Sequence, residues 1–500
     1  MGLTLNIRRT VSLLVFSMAA IASWSQVFEQ DGIKYQYDSE TQSVVVVSVF
    51  GKGAIIVPRT VVYNEQELPV SGMMSECFMN NKDVTSVCLY ENIKEIPMYA
   101  FSGCALERID LSEGLETIRK HAFENTGNLK EVKFPQSLRV IEESAFRHSG
   151  LSSLVLPDNI QTIGGEAFAS TAIEEVSFHC ADGTLQDNVF NFCEQLRCIT
   201  IEEGTTTIRP NFAGCKSLES LYIPASVSQL DYFALYGTRK EGNYLTSVQV
   251  DQENKKYDSR GDCNAIVETE TSTLIFACPT TVLPKDIKSI KSYAFSSEMQ
   301  AEIPTIPNTV EYISDLAFNC LNEIPSLVFE DGEKELTLAY HFNARHDDNG
   351  FADINSLYLG RNTTWLGNGK EWDENSMTVG KLLIGTDVSR LTCQVNINTD
   401  GFSVYALRED PLPLDIEFKN GDQIFIQTTL YVPMGAKEKY LQAEGWKKFL
   451  NIAEFTPTDI KPSANMDNHT SVIYNLDGRR LNAKPPKGIY IQNGKKVVML

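Results

Sequence analysis

A phenylalanine returns at almost constant spacing through the middle of this chain, and few folds accommodate so regular a beat. An Ala-Phe pair stands at Ala100-Phe101, Ala122-Phe123, Ala145-Phe146 and Ala167-Phe168, and the Phe alone continues at Phe190 and Phe212, in steps of 22, 23, 22, 22 and 22 residues. Phe78 lies 23 residues earlier and Phe233 lies 21 later; after a longer gap the pair resumes at Ala294-Phe295 and Ala317-Phe318. A fixed period of this size is the sequence mark of stacked repeats.

Each repeat also has a fixed interior. Five or six residues after the Phe comes an apolar triplet at i, i+3, i+5, as in Leu106, Ile109, Leu111; Leu151, Leu154, Leu156; Ile173, Val176, Phe178; Leu196, Ile199, Ile201; and Leu218, Leu221, Ile223. A second pair follows at i, i+3: Leu115 and Ile118, Leu138 and Ile141, Ile160 and Ile163. The step from i+3 to i+5 is strand alternation, and the segments are too short for packed helices. Pro135, Pro157 and Pro224 stop the strand, because proline cannot donate to a ladder. The expected fold is mainly β: a leucine-rich-repeat solenoid of ~22–23-residue coils, each with one short parallel strand. No coil buries its apolar side alone, so stacking closes the core. With strands about 4.8 Å apart, roughly ten coils make a slab on the order of 50 Å long.

The rest of the chain divides around this array. Residues 1–25 read as a signal peptide: Arg8 and Arg9 are followed by a short apolar run, and Ser23 and Ser25 suit a cleavage site before Gln26. The run is too short to span a bilayer, so no transmembrane span is expected there or elsewhere. Residues 26–72 read as an N-terminal β cap over the first coil, with alternation at Ile33, Tyr35, Tyr37 and a β-branched run over 44–49. The solenoid is placed at 73–329, with an insert at about 251–285. That insert is a hairpin-like excursion whose strands carry Ile266-Val267 and Leu274-Ile275-Phe276. Residues 330–455 read as degenerate repeats that have lost the Phe, closed by a C-terminal cap. In that cap 436–450 has helix-like spacing, with Gly445 as a flaw and Trp446 in the core. Residues 456–470 read as a linker, and 471–500 as a small C-terminal β-hairpin tail built on Asp477-Gly478 and Asn493-Gly494 turns.

Net charge is −21, which argues against nucleic acid and anionic membrane as partners. Eleven cysteines in an exported chain invite a disulfide reading. Cys104, Cys193 and Cys215, however, each lie three residues after the repeat Phe, with Cys320 two after, as small buried side chains at a turn would. Cys88 and Cys198 fall on outward strand positions.

The units, written Ala-Phe…Cys…Leu-x-x-Ile-x-Leu-Pro, resemble the BspA-like leucine-rich repeats of exported bacterial proteins, over residues 28–455. The closing Leu430-Tyr431-Val432-Pro433 with Trp446-Lys447-Lys448-Phe449 is similar to that family's usual end. The tail, with Tyr474, Asp477-Gly478-Arg479 and Gly488-Ile489-Tyr490-Ile491, resembles C-terminal sorting tails of Gram-negative anaerobes. The resemblance implies a secreted or cell-surface, outer-membrane-associated protein of a Gram-negative bacterium, routed by secretion machinery that reads the tail. It further implies adhesion or ligand binding, some relatives taking host matrix proteins, and brings no catalytic residues.

The residues themselves agree on catalysis. The chain has no His-Glu-x-x-His, Gly-x-Ser-x-Gly or phosphate-loop signature and only six histidines, so no catalytic residue, metal site or cofactor is expected. His341 and His346 beside Asp347-Asp348-Asn349 read as an exposed polar loop before a metal loop. An enzyme site assembled across coils stays open as an alternative, as does an envelope scaffold with no specific ligand. The leading expectation is a non-catalytic module that binds an extracellular protein or glycan. Its face would be the outward strand residues: one column of Arg108, Glu131, Ser153, Glu175, Cys198 and Ser220, and the next of Asp110, Lys133, Val155, Ser177, Thr200 and Tyr222. Arg260-Gly261-Asp262 in the insert spells an adhesion tripeptide, or a turn of common polar residues.

Overall fold

The computed structural model describes residues 26–178, 185–209, 212–231, 235, 245–295, 303–319, 323–343, 352–366, 377–393, 397–398, 401–418 and 422–456, with tail strands at 473–474, 480–481, 488–492 and 495–499. The signal-peptide reading, the linker, Phe233, Cys320 and the His346 loop lie outside these residues. Two compact units are present: Met1–Glu219 with Gln229–Leu235, and Ser220–Ser228 with Tyr236–Leu500.

In the first unit the repeat phenylalanines form one dry column. Phe78, Phe101, Phe123, Phe146, Phe168, Phe190 and Phe212 are each at most 1% exposed. Successive ring centroids lie 4.6, 5.1, 4.9, 5.4, 5.9 and 6.4 Å apart. That spacing is close to the rise between stacked strands, so each coil contributes one ring per step. The backbone repeats it: the N–H groups of Phe101, Phe123 and Phe146 donate to the carbonyls of Ala122, Ala145 and Ala167 at 2.7–2.8 Å.

Coils carry up to two short parallel strands, not the single one expected, although the triplet segment with Glu131 and Lys133 forms no strand. The triplet strands pair Gly53–Ile56 with Val84–Cys88 and Arg108–Asp110, and Leu154–Val155 with Glu175–Phe178 and Cys198–Ile201. The i, i+3 pairs build the second ladder: Glu95–Ile96, Thr117–Ile118, Val140–Ile141 and Thr162–Ile163, in register, with Ile96, Ile118, Ile141 and Ile163 fully buried. A two-residue strand is too short to show period-two alternation, which is why only the triplet was legible as a strand.

The turn around each Phe needs left-handed backbone twice. Tyr99, His121, Ser144, Glu166 and Asn188 adopt φ of 54–65° just before the Ala position, and Asn80, Asn125, His148, Ser170 and Phe192 do so two residues after the Phe, at 54–59°. Gly103 fills that second slot with φ 67° and no side-chain cost. The non-glycine residues hold it against a penalty of about 1 kcal/mol each, offset by the ladder hydrogen bonds that every coil makes.

The thiols sit where the spacing put them. The Cys104, Cys193 and Cys215 Sγ–H groups donate to the carbonyls of Phe78, Phe168 and Phe190 at 2.8–3.2 Å, and Thr126 and Thr171 occupy the same slot in other coils. Burial pushes the Cys104 and Cys193 thiols up to about 11 and Cys215 well above its ordinary value. Cys77, Cys88, Cys104, Cys193, Cys198, Cys215, Cys263 and Cys278 are free thiols, and Cys198 is exposed. A maleimide reagent is therefore expected to label Cys198 in the native protein and Cys104, Cys193 and Cys215 only after denaturation; peptide mapping by mass spectrometry reads this directly.

The N-terminal sheet orders its strands Val27–Gln30, Ile33–Asp38, Ser43–Val49, Gln66–Met73 and Thr60–Tyr63. The last two close through Asn64 and Glu65, whose φ values of 50° and 64° mark the turn that suits a twisted hairpin.

In the second unit the insert is not an excursion. Its strands Ala265–Glu268 and Thr273–Ala277 pair antiparallel, as expected. They then lead into parallel strands Ser289–Ile290, Tyr312–Ile313, Leu336–Leu338, Thr363–Trp365, Arg390–Cys393 and Asp415–Phe418. Ala265, Val267 and Leu274 are fully buried in the core. The aromatic column also persists past residue 330: Phe318 meets Phe342 at 6.1 Å and Phe342 meets Trp365 at 6.2 Å. Arg361, unforeseen, is 0% exposed; its guanidinium donates to the carbonyls of Pro307 and Asn308, and burial lowers its pKa to about 10.

The C-terminal cap breaks where a single helix was expected. An α-helix spans Lys437–Gln442, and a separate 3-10 turn spans Trp446–Lys448. Trp446 is core: it is 3% exposed, its Nε1–H donates to the Leu412 carbonyl at 2.8 Å, and Tyr440 packs edge-on at 5.0 Å. In the tail, Ile473–Tyr474 pairs antiparallel with Arg480–Leu481, and Gly488–Gln492 with Lys495–Met499.

Candidate functional site: the outward strand face

The triplet strands alternate, so the residues between the buried ones must face outward. In the first unit Arg108, Asp110, Glu131, Lys133, Ser153, Glu175, Ser177, Cys198 and Thr200 are all exposed, and Val155 is 80% exposed. Register sets them in rows: Ser86 beside Arg108, Cys88 beside Asp110, Val155 beside Ser177, Glu175 beside Cys198, and Ser177 beside Thr200. Ser220 and Tyr222 belong to the second unit, in strand Ser220–Ile223, beside Ser247 and Gln249. Both are exposed.

Charges on this face alternate in sign, and some are already satisfied. The Arg108 guanidinium forks onto both oxygens of Asp110, with Nε and Nη2 at 3.0 and 2.9 Å from Oδ1 and Nη2 at 3.1 Å from Oδ2. Ser177 donates to Glu202 at 2.7 Å. The Tyr222 hydroxyl donates to the Asp251 carboxylate, and that bond, ahead of the Glu253 N–H, holds the Asp251 carboxyl below its usual range. What remains for a partner is a bed of hydroxyls, carboxylates and the Lys133 ammonium at fixed spacing, with Val155 as an apolar contact.

Arg260-Gly261-Asp262 is a tight 3-10 turn in which Gly261 supplies φ 64°. Arg260 is not presented to solvent as an adhesion loop requires. Its Nε and Nη2 donate to Asp258 at 2.8 and 2.7 Å, and its Nη1 to Asp286 at 2.6 Å. Two carboxylates hold the guanidinium against the insert, so of the tripeptide's two charged side chains only Asp262 stays exposed.

A second set of charges on the short-ladder side was not singled out in the sequence. Arg119 bridges three coils, reaching Glu95 at 2.6 Å and Glu142 at 2.7 Å, while Lys120 pairs with Glu143 at 2.8 Å. The signal was present: Arg119 and Glu142 each directly follow the ladder isoleucine of their coil, so side-by-side placement follows from register. Beyond them an open polar cleft of about 530 Å³ is lined by Glu143, Glu166, Gln186, Asp187 and Arg209. Its charges pair among neighbours, Arg147 with Glu166 at 2.9 Å and Arg209 with Asp187 at 3.5 Å. Among the described residues no group of three His, Cys, Asp or Glu could hold a metal ion, and no helix is long and apolar enough to cross a membrane. His341 sits 3.9 Å from Asp315.

The chain resembles several solved structures. A leucine-rich repeat protein of T. pallidum is 27% identical, with 39% of this chain and 91% of that one covered and a TM-score of 0.32. A leucine-rich cell surface protein of Faecalibacterium prausnitzii is 15% identical over 87% of this chain and 96% of that one, with a TM-score of 0.38. The pneumococcal vaccine antigen PcpA is 16% identical over 86% of this chain and 99% of that one, with a TM-score of 0.39. No curated protein matches in sequence. The BspA type leucine-rich repeat region matches residues 72–197, 183–259 and 277–345, in six copies. With just over half its length accounted for by that match, and with the stacked coils described above, this chain belongs to the BspA-type leucine-rich repeat family of non-catalytic repeat proteins.

Proposed function

We propose that the protein is exported, stands at the cell surface of a Gram-negative bacterium, and binds an extracellular protein or glycan through its outward strand face. One observation carries this reading. The inward residues repeat from coil to coil, while outward residues in register change, Ser86 to Arg108, Cys88 to Asp110, Val155 to Ser177 and Glu175 to Cys198. A lattice that keeps its core constant and varies its face is suited to recognition. Residues 1–25 would direct export, and the tail at 471–500 would be read by the secretion machinery. A net charge of −21 disfavours nucleic acid and polyanionic partners.

The test is the double variant Arg108→Glu with Lys133→Glu. Both side chains are exposed, so the melting temperature is expected to stay within about 2 °C, because exposed pairs contribute about 0–1 kcal/mol. Capture of proteins from host matrix extracts, or of glycans on an array, is expected to fall at least about fivefold. Unchanged capture would remove this face as the binding surface. The second reading, an envelope scaffold with no specific ligand, is favoured by the Arg108–Asp110 fork, which neutralises the strongest charge on the face internally. Under it neither the native protein nor the variant captures anything.

A further inference from the structure

Cleavage before Gln26, the site the leader reading implies, would leave a chain that enters the fold at its first residue. Gln26 directly precedes the strand Val27–Gln30, and its carbonyl accepts the Tyr37 N–H at 2.9 Å. Its side-chain amide is held too: the Tyr63 hydroxyl donates to Gln26 Oε1 at 2.5 Å. Tyr63 is fixed in turn by stacking on Phe28 at 4.5 Å and by Tyr37 at 5.5 Å.

We propose that Gln26 is a modification site, the first residue of the mature chain closed to a five-membered lactam beneath the Tyr63 hydroxyl. This rests on the export reading above. The step balances within the residue. The uncharged α-amine attacks Cδ, the new N–Cδ bond closes the ring, the Cδ–Nε2 bond breaks, and the proton given up by the attacking nitrogen leaves with Nε2 as ammonia. No oxidant or co-reactant is required. The one hydrogen bond described for this amide falls on Oε1, the atom that the lactam retains. A donor at Oε1 also stands where negative charge develops as the amine adds, so Tyr63 favours the closure. Because an ordinary α-amine titrates near pH 8, the rate rises with pH up to about that value. The product replaces an ammonium with a neutral ring beside Phe28, Tyr37 and Tyr63, and removes the handle that aminopeptidases need.

The full chain is exported from a Gram-negative host and its N-terminal peptide is sequenced by mass spectrometry. A peptide that begins at residue 26 and lacks one ammonia is the expected result. A peptide that begins at 26 with an intact glutamine, and keeps it on incubation at pH 8, overturns the lactam while leaving the export site standing. A peptide that begins elsewhere overturns the export site itself. For the part of Tyr63, full-length mature chain is released by a protease that cuts directly before Gln26, and ammonia loss is followed by intact mass. Tyr63→Phe is expected to close about fivefold more slowly, the worth of one hydrogen bond; equal rates would overturn the role assigned to that hydroxyl.

Discussion

Replacing Phe146 by alanine is expected to lower folding stability by about 3–5 kcal/mol. The ring is fully buried and touched on both flat faces, by Phe123 at 4.9 Å and Phe168 at 5.4 Å, with Phe134 edge-on at 5.5 Å. The lost apolar area accounts for part of the cost. The cavity accounts for the rest, because the coils above and below are tied by backbone hydrogen bonds at Phe123 and Phe146 and cannot collapse into the space. Val155→Ala, in the same repeat but exposed, serves as the control and should move stability by no more than about 0.5 kcal/mol. Urea unfolding of both variants checks the pair. Equal, small effects would mean the ring column contributes packing of no special consequence.

The second large effect is expected at Gly445. Its backbone stands at φ 83°, a region a side chain resists, and an added Cβ would lie 1.7 Å from the Leu414 carbonyl oxygen. That oxygen belongs to the backbone and has no rotamer to escape into. Gly445→Ala should therefore cost about 2–5 kcal/mol locally, from the left-handed penalty together with overpacking. The cap would pay first: Trp446 would leave the Leu412 carbonyl, and the segment holding Lys437, Lys439, Lys447 and Lys448 would open. Limited trypsin digestion followed by mass spectrometry should show faster cutting at these lysines, with cutting in the first unit unchanged. Resistance equal to the native protein would show that the cap absorbs the substitution.

Gly445 also shows where a sequence stops being readable. Tyr440, Leu441, Trp446 and Phe449 have helical spacing, and by spacing alone the glycine is a defect. The close approach of a carbonyl 31 residues earlier, which makes the glycine obligatory, has no local signature. Phe342 and Trp365 were hidden for a different reason. The column needs an aromatic ring at that height, not the Ala-Phe pair, and here Tyr340-His341 precedes one ring and tryptophan replaces the other. The Phe column from 78 to 212 was legible because burial admits one kind of side chain there and the chain must supply it at every turn. The outward columns were legible by the same alternation read in reverse. What could not be read was which outward charges are engaged: nothing in the spelling Arg-Gly-Asp tells that Asp258 and Asp286 take hold of the arginine.

The stacking itself is best tested by distances along one outward column. Cys198 provides a native labelling point, since it is exposed while Cys104, Cys193 and Cys215 are buried. With Cys88 replaced by serine, a second nitroxide goes at Glu175→Cys, Glu131→Cys or Arg108→Cys, one, three and four coils away, and dipolar electron spin resonance reads each separation. Stacked coils predict mean separations that grow by about 5 Å per coil, reaching roughly 19 Å for residue 108. Separations that fail to rise in that order, or a residue 108 label as close to Cys198 as the residue 175 label, would contradict the stacked solenoid.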